Sequence, residues 1–226
     1  MAAPSPHPLL ATLHDAADGS FPAVDGVVEV LPTDRRGTGA IVEFTGHAMV
    51  LTDRSPDDAV FAGVDAFGGV TQPRFVVGVA GARAAIGSHD LVLVRRGGSD
   101  SDPLPTTDRH DAHPRVIRAR HHRQDVVVFG DERGLVTVGS GLVGRTELSV
   151  EVVGRHGAGA GRALILAALA TVPPEVRVFA QVAPGNAASV RAFLACGFLP
   201  IGSEILFEVA TGAGDPAAGH LPTWSA

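Results

Sequence analysis

The chain has 226 residues, of which 45% are hydrophobic and 19% charged, so it can form one large domain or two small ones with a sizeable core. Its net charge of −6 argues against non-specific nucleic-acid binding, which usually needs a basic face. The single cysteine, Cys196, excludes an internal disulfide framework. The N-terminus lacks the features of a signal peptide, and no apolar stretch approaches the length of a membrane span. We therefore expect a cytoplasmic protein with no nucleic-acid and no membrane partner.

The first 88 residues predict an N-terminal α+β lobe. The chain begins with a stretch rich in Pro and Ala, residues 1–22, which suggests a flexible terminus. Ser55 followed by Pro56 marks the start of a helix, because Ser is a favoured N-cap and Pro a favoured first helical residue. The predicted elements are strands at 26–31 and 39–52 and helices at 55–67 and 72–81, in a lobe that spans 23–88.

A polar, Pro-rich loop at 97–114 is the clearest internal boundary. Strands and helices alternate beyond it, which predicts an α/β layered fold with a mixed sheet. Parallel strands need a crossover, so we expect strands 145–153 and 175–182 to lie parallel, with helix 161–172 between them. The other elements are strands at 89–96, 125–131, 135–142 and 203–209 and helices at 115–123 and 187–196, in a domain that spans 89–209 and precedes a flexible tail, 210–226.

The loop between the strand at 145–153 and the following helix reads GRHGAGAG, residues 154–161. A loop without side chains exposes backbone N–H groups at a helix N-terminus, which predicts a phosphate site. A Walker loop is excluded because Gly161 is followed by Arg162 and Ala163, and the glycine spacing does not fit a dinucleotide fingerprint. The alternative is a glycine-rich connection without a ligand.

Asn186 is the only asparagine of the chain and stands at the start of the predicted helix 187–196. All 18 basic residues are Arg, and Lys and Tyr are absent, which indicates a GC-rich codon bias that disfavours Asn. A retained Asn at this place is either a helix N-cap, where Asn is favoured, or a polar contact to a ligand. Both roles are compatible in one side chain.

Together, the glycine loop and the stretch VAPGNAASVRAFLACGF resemble the GNAT superfamily of acetyl-CoA-dependent N-acetyltransferases. The loop is similar to that family's pyrophosphate motif, Arg/Gln-x-x-Gly-x-Gly/Ala, with His156 where Arg or Gln is usual and Arg155 one place earlier. The resemblance implies an α/β fold with a mixed, splayed β-sheet flanked by helices, and an N-terminal lobe that is a degenerate half-copy of this fold or a lid. It implies acetyl-CoA as co-substrate and a small-molecule or peptide amine as acceptor, and it leaves a homodimer open.

The resemblance also assigns residues to coenzyme A. It places the cofactor arm between the two diverging parallel strands, where a backbone N–H of Val152 or Val153 would donate to the thioester carbonyl. The positions that it assigns to the cofactor are Val152, Val153, Arg155, His156, Gly157, Ala158, Gly159, Ala160, Gly161, Arg162, Asn186, Ser189 and Phe193.

Three polar residues, Glu147, Ser149 and Glu151, fall on one face of the strand at 145–153 because side chains alternate along a strand. If that face lines a cleft, these residues are candidates for acid–base catalysis, with Glu151 nearest the loop. The alternatives are a solvated face or acids that pair with arginines. Clustered acids would weakly favour a cationic amine as acceptor.

Family members often carry a Tyr that protonates the leaving thiolate, and the matching position here is Phe193. Water, Ser189, Cys196 or a substrate group would then supply the proton. The other hypothesis is a catalytically weak or inactive CoA-binding or sensor protein. We expect no metal site, because the histidines of the 97–123 region lack tight ligand spacing; these are His110, His113, His121 and His122, with Asp108 and Asp111 nearby.

Overall fold

The computed structural model describes residues 6–154 and 159–208. Within these ranges the chain forms five α-helices, two short 3₁₀ turns (Ala59–Phe61 and Leu142–Gly144) and nine strands. The helices are Pro8–Ala17 (α1), Pro73–Ala80 (α2), Pro114–His122 (α3), Ala160–Leu169 (α4) and Ala187–Ala195 (α5). The strands are Val28–Leu31 (β1), Thr38–Phe44 (β2), His47–Leu51 (β3), Ala85–Arg96 (β4), Gln124–Asp131 (β5), Gly134–Ser140 (β6), Thr146–Val152 (β7), Arg177–Val182 (β8) and Leu199–Glu208 (β9).

The nine described strands form one mixed sheet in the order β1-β3-β2-β9-β4-β8-β7-β6-β5. Two neighbouring pairs, β1 with β3 and β7 with β8, are parallel, and the others are antiparallel. The predicted α/β fold with a large mixed sheet flanked by helices is therefore confirmed. Strand β4 lies between β8 and β9, although it precedes both in the chain by a long stretch.

The N-terminal strands continue the same sheet, because β2 pairs with β9 along six residues from Thr38↔Glu208 to Glu43↔Ser203. Strand β4 begins at Ala85 and so crosses the predicted boundary between residues 88 and 89. The division into an N-terminal lobe and a second domain stays a prediction, and the tail 210–226 lies outside the described residues.

Alternate residues of the central strands direct their side chains to opposite faces of the sheet, where they pack into different cores. Leu93, Val178 and Ala180 pack with the buried residues of α4 and α5. Val92 and Phe179 face the other way and pack with Leu9 and Leu13 of α1 and others. The sheet thus separates an α4–α5 side from an α1 side. A third core lies under α2, around Ile41, Phe75 and Phe207.

Two N-terminal predictions were wrong. Residues 1–22 include the ordered helix α1, whose Leu9 and Leu13, four residues apart, are fully buried against the sheet. The predicted strand 39–52 is a hairpin, since Gly46 (φ 64°) takes the left-handed backbone conformation that reverses the chain between β2 and β3.

The predicted helix 55–67 was also wrong, because only the 3₁₀ turn Ala59–Phe61 forms there. Asp58 rather than Ser55 caps that turn, with its carboxylate accepting from the N–H of Val60. The turn ends at Ala62, which is extended (φ −61°, ψ 118°), and Gly63 (φ 69°) then takes a left-handed conformation that does not continue an α-helix.

Candidate functional site

The two parallel strands at the centre of the sheet separate after a short contact. Strands β7 and β8 pair only at Thr146↔Val178 and Glu147↔Phe179. Beyond Glu147, β7 continues to Val152 and remains paired with β6, while β8 continues to Val182 and remains paired with β4. The facing edges of the two strands are therefore unpaired beyond Glu147, which leaves a gap in the sheet between Glu147 and Val152. We call this the β7–β8 gap.

Hydrogen bonds on the other edge of β7 show which backbone groups face the gap. The N–H of Val153 donates to the carbonyl of Arg133 (3.0 Å), and the N–H of Gly141 donates to the carbonyl of Arg145 (2.9 Å). In an antiparallel ladder every second residue directs its N–H and C=O to the same neighbour. The odd-numbered residues of β7 thus bond to β6, and the backbone groups of Val150 and Val152 face the gap. Of the two predicted donors, Val152 is the one whose N–H faces the gap.

Helix α4 begins at the mouth of the gap. Its N-cap is Gly159 (φ 108°), a left-handed conformation that favours glycine, and its first turn carries no acidic residue. A Cβ added at Gly161 would lie 3.5 Å from Cγ2 of Val152, which places the first turn beside the end of β7. The first N–H groups of this helix have no partner within it and form an anion-binding end. Arg162 is exposed in the same turn. The other loop residues of the prediction, Arg155, His156, Gly157 and Ala158, lie outside the described residues.

Asn186 caps helix α5, as one of its two alternatives predicted. Its side-chain Oδ1 accepts a hydrogen bond from the N–H of Ser189 (3.1 Å). The residue is exposed and follows the end of β8 at Val182 by a short turn. The cap uses only the amide oxygen, and within residues 6–154 and 159–208 Nδ2 has no hydrogen-bond partner, so it is available as a donor.

The two acids of β7 have arginine partners, as one alternative predicted. Glu147 is buried, and its carboxylate accepts from Nε of Arg145 (2.8 Å) and from Nε of Arg123 (2.7 Å). Burial alone would raise the pKa of Glu147, but these two guanidinium groups lower it to about 2. Glu151 accepts from Nε of Arg115 at 2.5 Å, and 36% of its side chain is exposed. Glu147 is therefore an anion held within the protein, whereas Glu151 is accessible.

Glu147 belongs to a buried ion network that sequence reasoning missed. Arg145 is fully buried and donates both Nη groups to the carboxylate of Glu204 (2.6 and 2.7 Å) while its Nε holds Glu147. Two arginines and two glutamates thus link β7, β9 and the end of α3 at Arg123. A buried charge needs such partners, because desolvation of an unpaired ion is costly.

Ser149 lies between the two acids, and its hydroxyl is 2.6 Å from that of Thr137 on β6. Gln181 lies in the part of β8 after Phe179, where the strand borders the gap. Its Oε1 accepts from Arg123 (3.3 Å). Among the described residues its Nε2 is buried and has no hydrogen-bond partner. An unsatisfied buried donor costs free energy, so Gln181 is a candidate ligand contact that the sequence did not reveal.

Asp90 is a further carboxylate near the end of β8 that the sequence analysis did not select. Its neighbour Leu91 pairs with Val182, the last residue of β8, and Asp90 itself pairs with Glu204 of β9. Burial raises the pKa of Asp90, and the hydroxyl of Ser88 donates to its carboxylate (2.8 Å). Only the strand register brings it to the same end of the sheet as the gap.

Phe193, the residue where a family Tyr is expected, lies in the core between α4 and α5. It is 3% exposed and packs edge-on against Phe198 with ring centroids 4.9 Å apart. Cys196 is also buried, and its thiol contacts the carbonyl of Arg162 at 3.6 Å. Burial raises the pKa of this thiol.

No family model and no curated protein matches the sequence. Among the solved structures that are similar to part of the fold are two acetyltransferases. One is a GCN5-related N-acetyltransferase from Kribbella flavida, with a TM-score of 0.39, 12% identity and coverage of 61% of this chain and 63% of that chain. The other is an acetyltransferase from the GNAT family from Colwellia psychrerythraea, with a TM-score of 0.36, 12% identity and coverage of 55% and 57%.

The chain thus spans less than two thirds of the length of either structure. Both structures bear the family name that the motifs predicted. At these identities and TM-scores the similarity concerns the fold alone and carries no argument about activity or substrate. No helix within residues 6–154 and 159–208 is long and apolar enough to cross a membrane.

Proposed function

We propose that the protein is an N-acyltransferase that takes an acetyl group from acetyl-CoA. The observation that carries this proposal is the β7–β8 gap, where two parallel strands pair at two positions and then diverge with their backbone groups facing each other. Unpaired strand edges inside a sheet need hydrogen-bond partners. An extended ligand rich in amide groups would supply them, and the pantetheine arm of coenzyme A is such a ligand.

The ends of the gap suit the other parts of the same ligand. The N-terminus of α4, with Arg162 in its first turn, offers backbone donors and a positive dipole to a pyrophosphate. The N–H of Val152 is the donor that we assign to the thioester carbonyl, where negative charge grows in the transition state. We assign to Nδ2 of Asn186 a hydrogen bond to an amide carbonyl of the arm.

The acceptor must lose a proton when its nitrogen attacks the thioester, and a carboxylate near the gap can accept it, directly or through water. We propose Glu151 for this role, because it has one arginine partner and an accessible side chain. Asp90 is the second candidate, since its raised pKa suits a base better than a strongly ion-paired acid. Glu147 is instead a positioning residue that holds Arg123 and Arg145.

The charges beside the β7–β8 gap bear on whether the amine acceptor is itself cationic. Clustered acids weakly favoured a cationic amine, but Glu147 and Glu151 are compensated by Arg123, Arg145 and Arg115. The paired acids therefore give no net attraction for a cation. We propose an amine acceptor, either a small molecule or a peptide, without a preference for added positive charge.

The burial of Phe193 favours a second function, CoA binding without transfer. A phenyl ring in the core cannot protonate a thiolate, and the buried thiol of Cys196 is held against Arg162. Either water or the acceptor supplies the proton, or the protein binds the cofactor as a sensor.

One pair of measurements separates these functions. Calorimetric titration with acetyl-CoA and with coenzyme A tests binding, and release of free thiol in the presence of a panel of primary amines tests transfer. Binding with amine-dependent thiol release supports the enzyme. Binding without release for any amine supports the sensor. Absence of binding at millimolar acetyl-CoA would overturn both.

A further inference from the structure

Two histidines at the end of α3 and a glutamate at the end of β9 bring three ligand atoms together. Oε1 of Glu208 lies 3.3 Å from Nε2 of His121 and 3.2 Å from Nδ1 of His122. All three atoms lie within 4.8 Å of one another. We call these three residues the His–His–Glu cluster. None of them belongs to the β7–β8 gap.

We propose that the His–His–Glu cluster binds a divalent transition-metal ion, with Zn²⁺ as the preferred ion. Imidazole nitrogens and a carboxylate oxygen are ligands that suit zinc. In a tetrahedral site with bonds of about 2.0–2.1 Å, two ligand atoms are about 3.4 Å apart. The two separations that Glu208 makes with the histidines are close to this value.

The backbone that carries the two histidines lies at the C-terminus of α3 and is held by Arg36. His121 and His122 form the last turn of α3, and the C-terminal end of a helix carries a partial negative charge. The guanidinium of Arg36 donates to the carbonyl oxygens of both histidines, which fixes the turn that presents the rings. Arg36 and Arg118 add positive charge near the cluster, so we expect micromolar rather than nanomolar affinity.

The cluster is accessible and would leave room for solvent. The side chains of His121 and Glu208 are 64% and 48% exposed, while that of His122 is 33% exposed. Three protein ligands with one open position allow a water molecule as the fourth ligand. The bound ion would join the end of α3 to the last residue of β9, which also pairs with Thr38 and Ala85.

Such a bridge has a structural consequence. Arg123 follows His122 directly and holds both Glu147 and Gln181. An ion that fixes the end of α3 therefore also fixes the arginine beside the β7–β8 gap. We infer that the metal stabilises this wall of the sheet. The alternative is that Glu208 and the two histidines form an ion pair without a metal. A measurement of metal binding distinguishes the metal site from the ion pair.

The test uses untagged, full-length protein that has been freed of metal by dialysis against EDTA. Zinc chloride is titrated calorimetrically at about pH 7.5, where an unperturbed imidazole is mostly neutral. The variants His121→Gln and Glu208→Gln are compared with His110→Gln, which changes a histidine outside the cluster. We expect one zinc per chain, a rise in melting temperature with zinc, and at least about tenfold weaker binding in both cluster variants.

The control variant should bind zinc like the wild type. Equal melting temperatures of all proteins in EDTA show that the variants fold, and if Glu208→Gln does not fold, the exposed His121→Gln decides. X-ray absorption spectroscopy at the zinc edge should show nitrogen and oxygen ligands without sulfur. Absence of zinc binding, or binding that both cluster variants retain in full, would overturn the proposal.

Discussion

Val153 donates its backbone N–H to the carbonyl of Arg133, at 3.0 Å, and this bond fixes the direction of the residue before it. Because alternate residues of a strand face opposite neighbours, the N–H of Val152 faces the β7–β8 gap. The two adjacent valines, both 39% exposed, thus differ in the one group that matters for the proposed chemistry.

Proline at these two positions separates catalysis from stability. Val152→Pro removes an N–H that makes no bond to β6, so we expect a modest loss of stability but a fall in kcat of about 100-fold, the typical effect of losing an oxyanion donor. Val153→Pro removes the bond to Arg133 and should mainly lower the melting temperature. Steady-state kinetics and thermal unfolding of both variants check this. Equal kcat values in Val152→Pro and wild type would contradict the role of Val152.

A carboxylate introduced into the first turn of α4 should weaken the binding of a pyrophosphate at the same place. Gly161→Glu places a carboxylate near the helix N-terminus, where it is favourable for the helix by about 0.3–1 kcal/mol, yet it should repel a pyrophosphate. We expect binding of coenzyme A to weaken at least about tenfold, with the fold intact. Gly161→Ala is the matched control, since its Cβ would make only ordinary contact with Val152. Calorimetry that finds equal affinity in both variants would argue against a phosphate at α4.

Gly161 is a better position for this experiment than Gly159. Gly159 has φ 108°, so any side chain there strains the backbone whatever it does to a ligand. The sequence alone presents the two glycines as equivalent. Their difference comes from the backbone path into the helix.

Asn186→Asp tests whether the lone asparagine has a second role. The variant keeps an oxygen for the N–H of Ser189, and Asp caps helices about as well as Asn, so stability should change little. If Nδ2 donates to a carbonyl of the cofactor, the variant leaves that acceptor unsatisfied, at a cost of about 1–3 kcal/mol, and affinity falls roughly tenfold or more. Calorimetric titration with acetyl-CoA measures this. Unchanged affinity at unchanged melting temperature would reduce Asn186 to a cap.

Glu147 should control acid stability rather than catalysis. Its pKa is about 2 in the folded protein against 4.5 in a free side chain, so its contribution is complete above pH 4.5 and is lost as the pH falls towards 2. A shift of this size corresponds to about 3 kcal/mol. We expect Glu147→Gln to be destabilised by about that amount at neutral pH, with a difference from wild type that vanishes as the pH falls towards 2. Urea unfolding over a pH series measures it, with the exposed Glu175→Gln as control. A difference that does not vary with pH would show that the ionised form of Glu147 does not stabilise the fold.

Gln181→Met tests the buried donor beside the gap. Methionine is similar in volume and removes both the Nε2 that has no partner among the described residues and the oxygen that accepts from Arg123 at 3.3 Å, so the gain and the loss oppose each other and stability should change little. If that donor binds the acceptor or the cofactor, KM for that substrate rises several-fold while the melting temperature does not fall. A lower melting temperature with unchanged KM would mean that the bond to Arg123 is the only role of the side chain.

The local parts of the fold were predictable from the sequence. Asn186 caps the N-terminus of helix α5, and Gly197 follows its C-terminus with φ 81°; an asparagine cap and a left-handed glycine are both local signals. The parallel pairing of β7 and β8 also followed from a strand, a crossover helix and a second strand. Such features depend on residues that are neighbours in the chain.

The parts that the sequence did not reveal depend on distant residues. The order of the sheet places β4 between β8 and β9, and no local pattern encodes this choice. Glu151 meets Arg115 of α3, Glu147 meets Arg123 directly after α3, and Glu208 meets His122 only through the fold. Helix α1 was missed for a different reason, since its Pro- and Ala-rich composition concealed the buried pair Leu9 and Leu13.

A crystal structure with acetyl-CoA would show directly whether the β7–β8 gap holds the cofactor. We expect electron density for the pantetheine arm between β7 and β8, with the pyrophosphate at the N-terminus of α4 and the thioester carbonyl within hydrogen-bond distance of the N–H of Val152. Density for acetyl-CoA elsewhere on the protein, with the β7–β8 gap unchanged and free of ligand, would contradict this expectation.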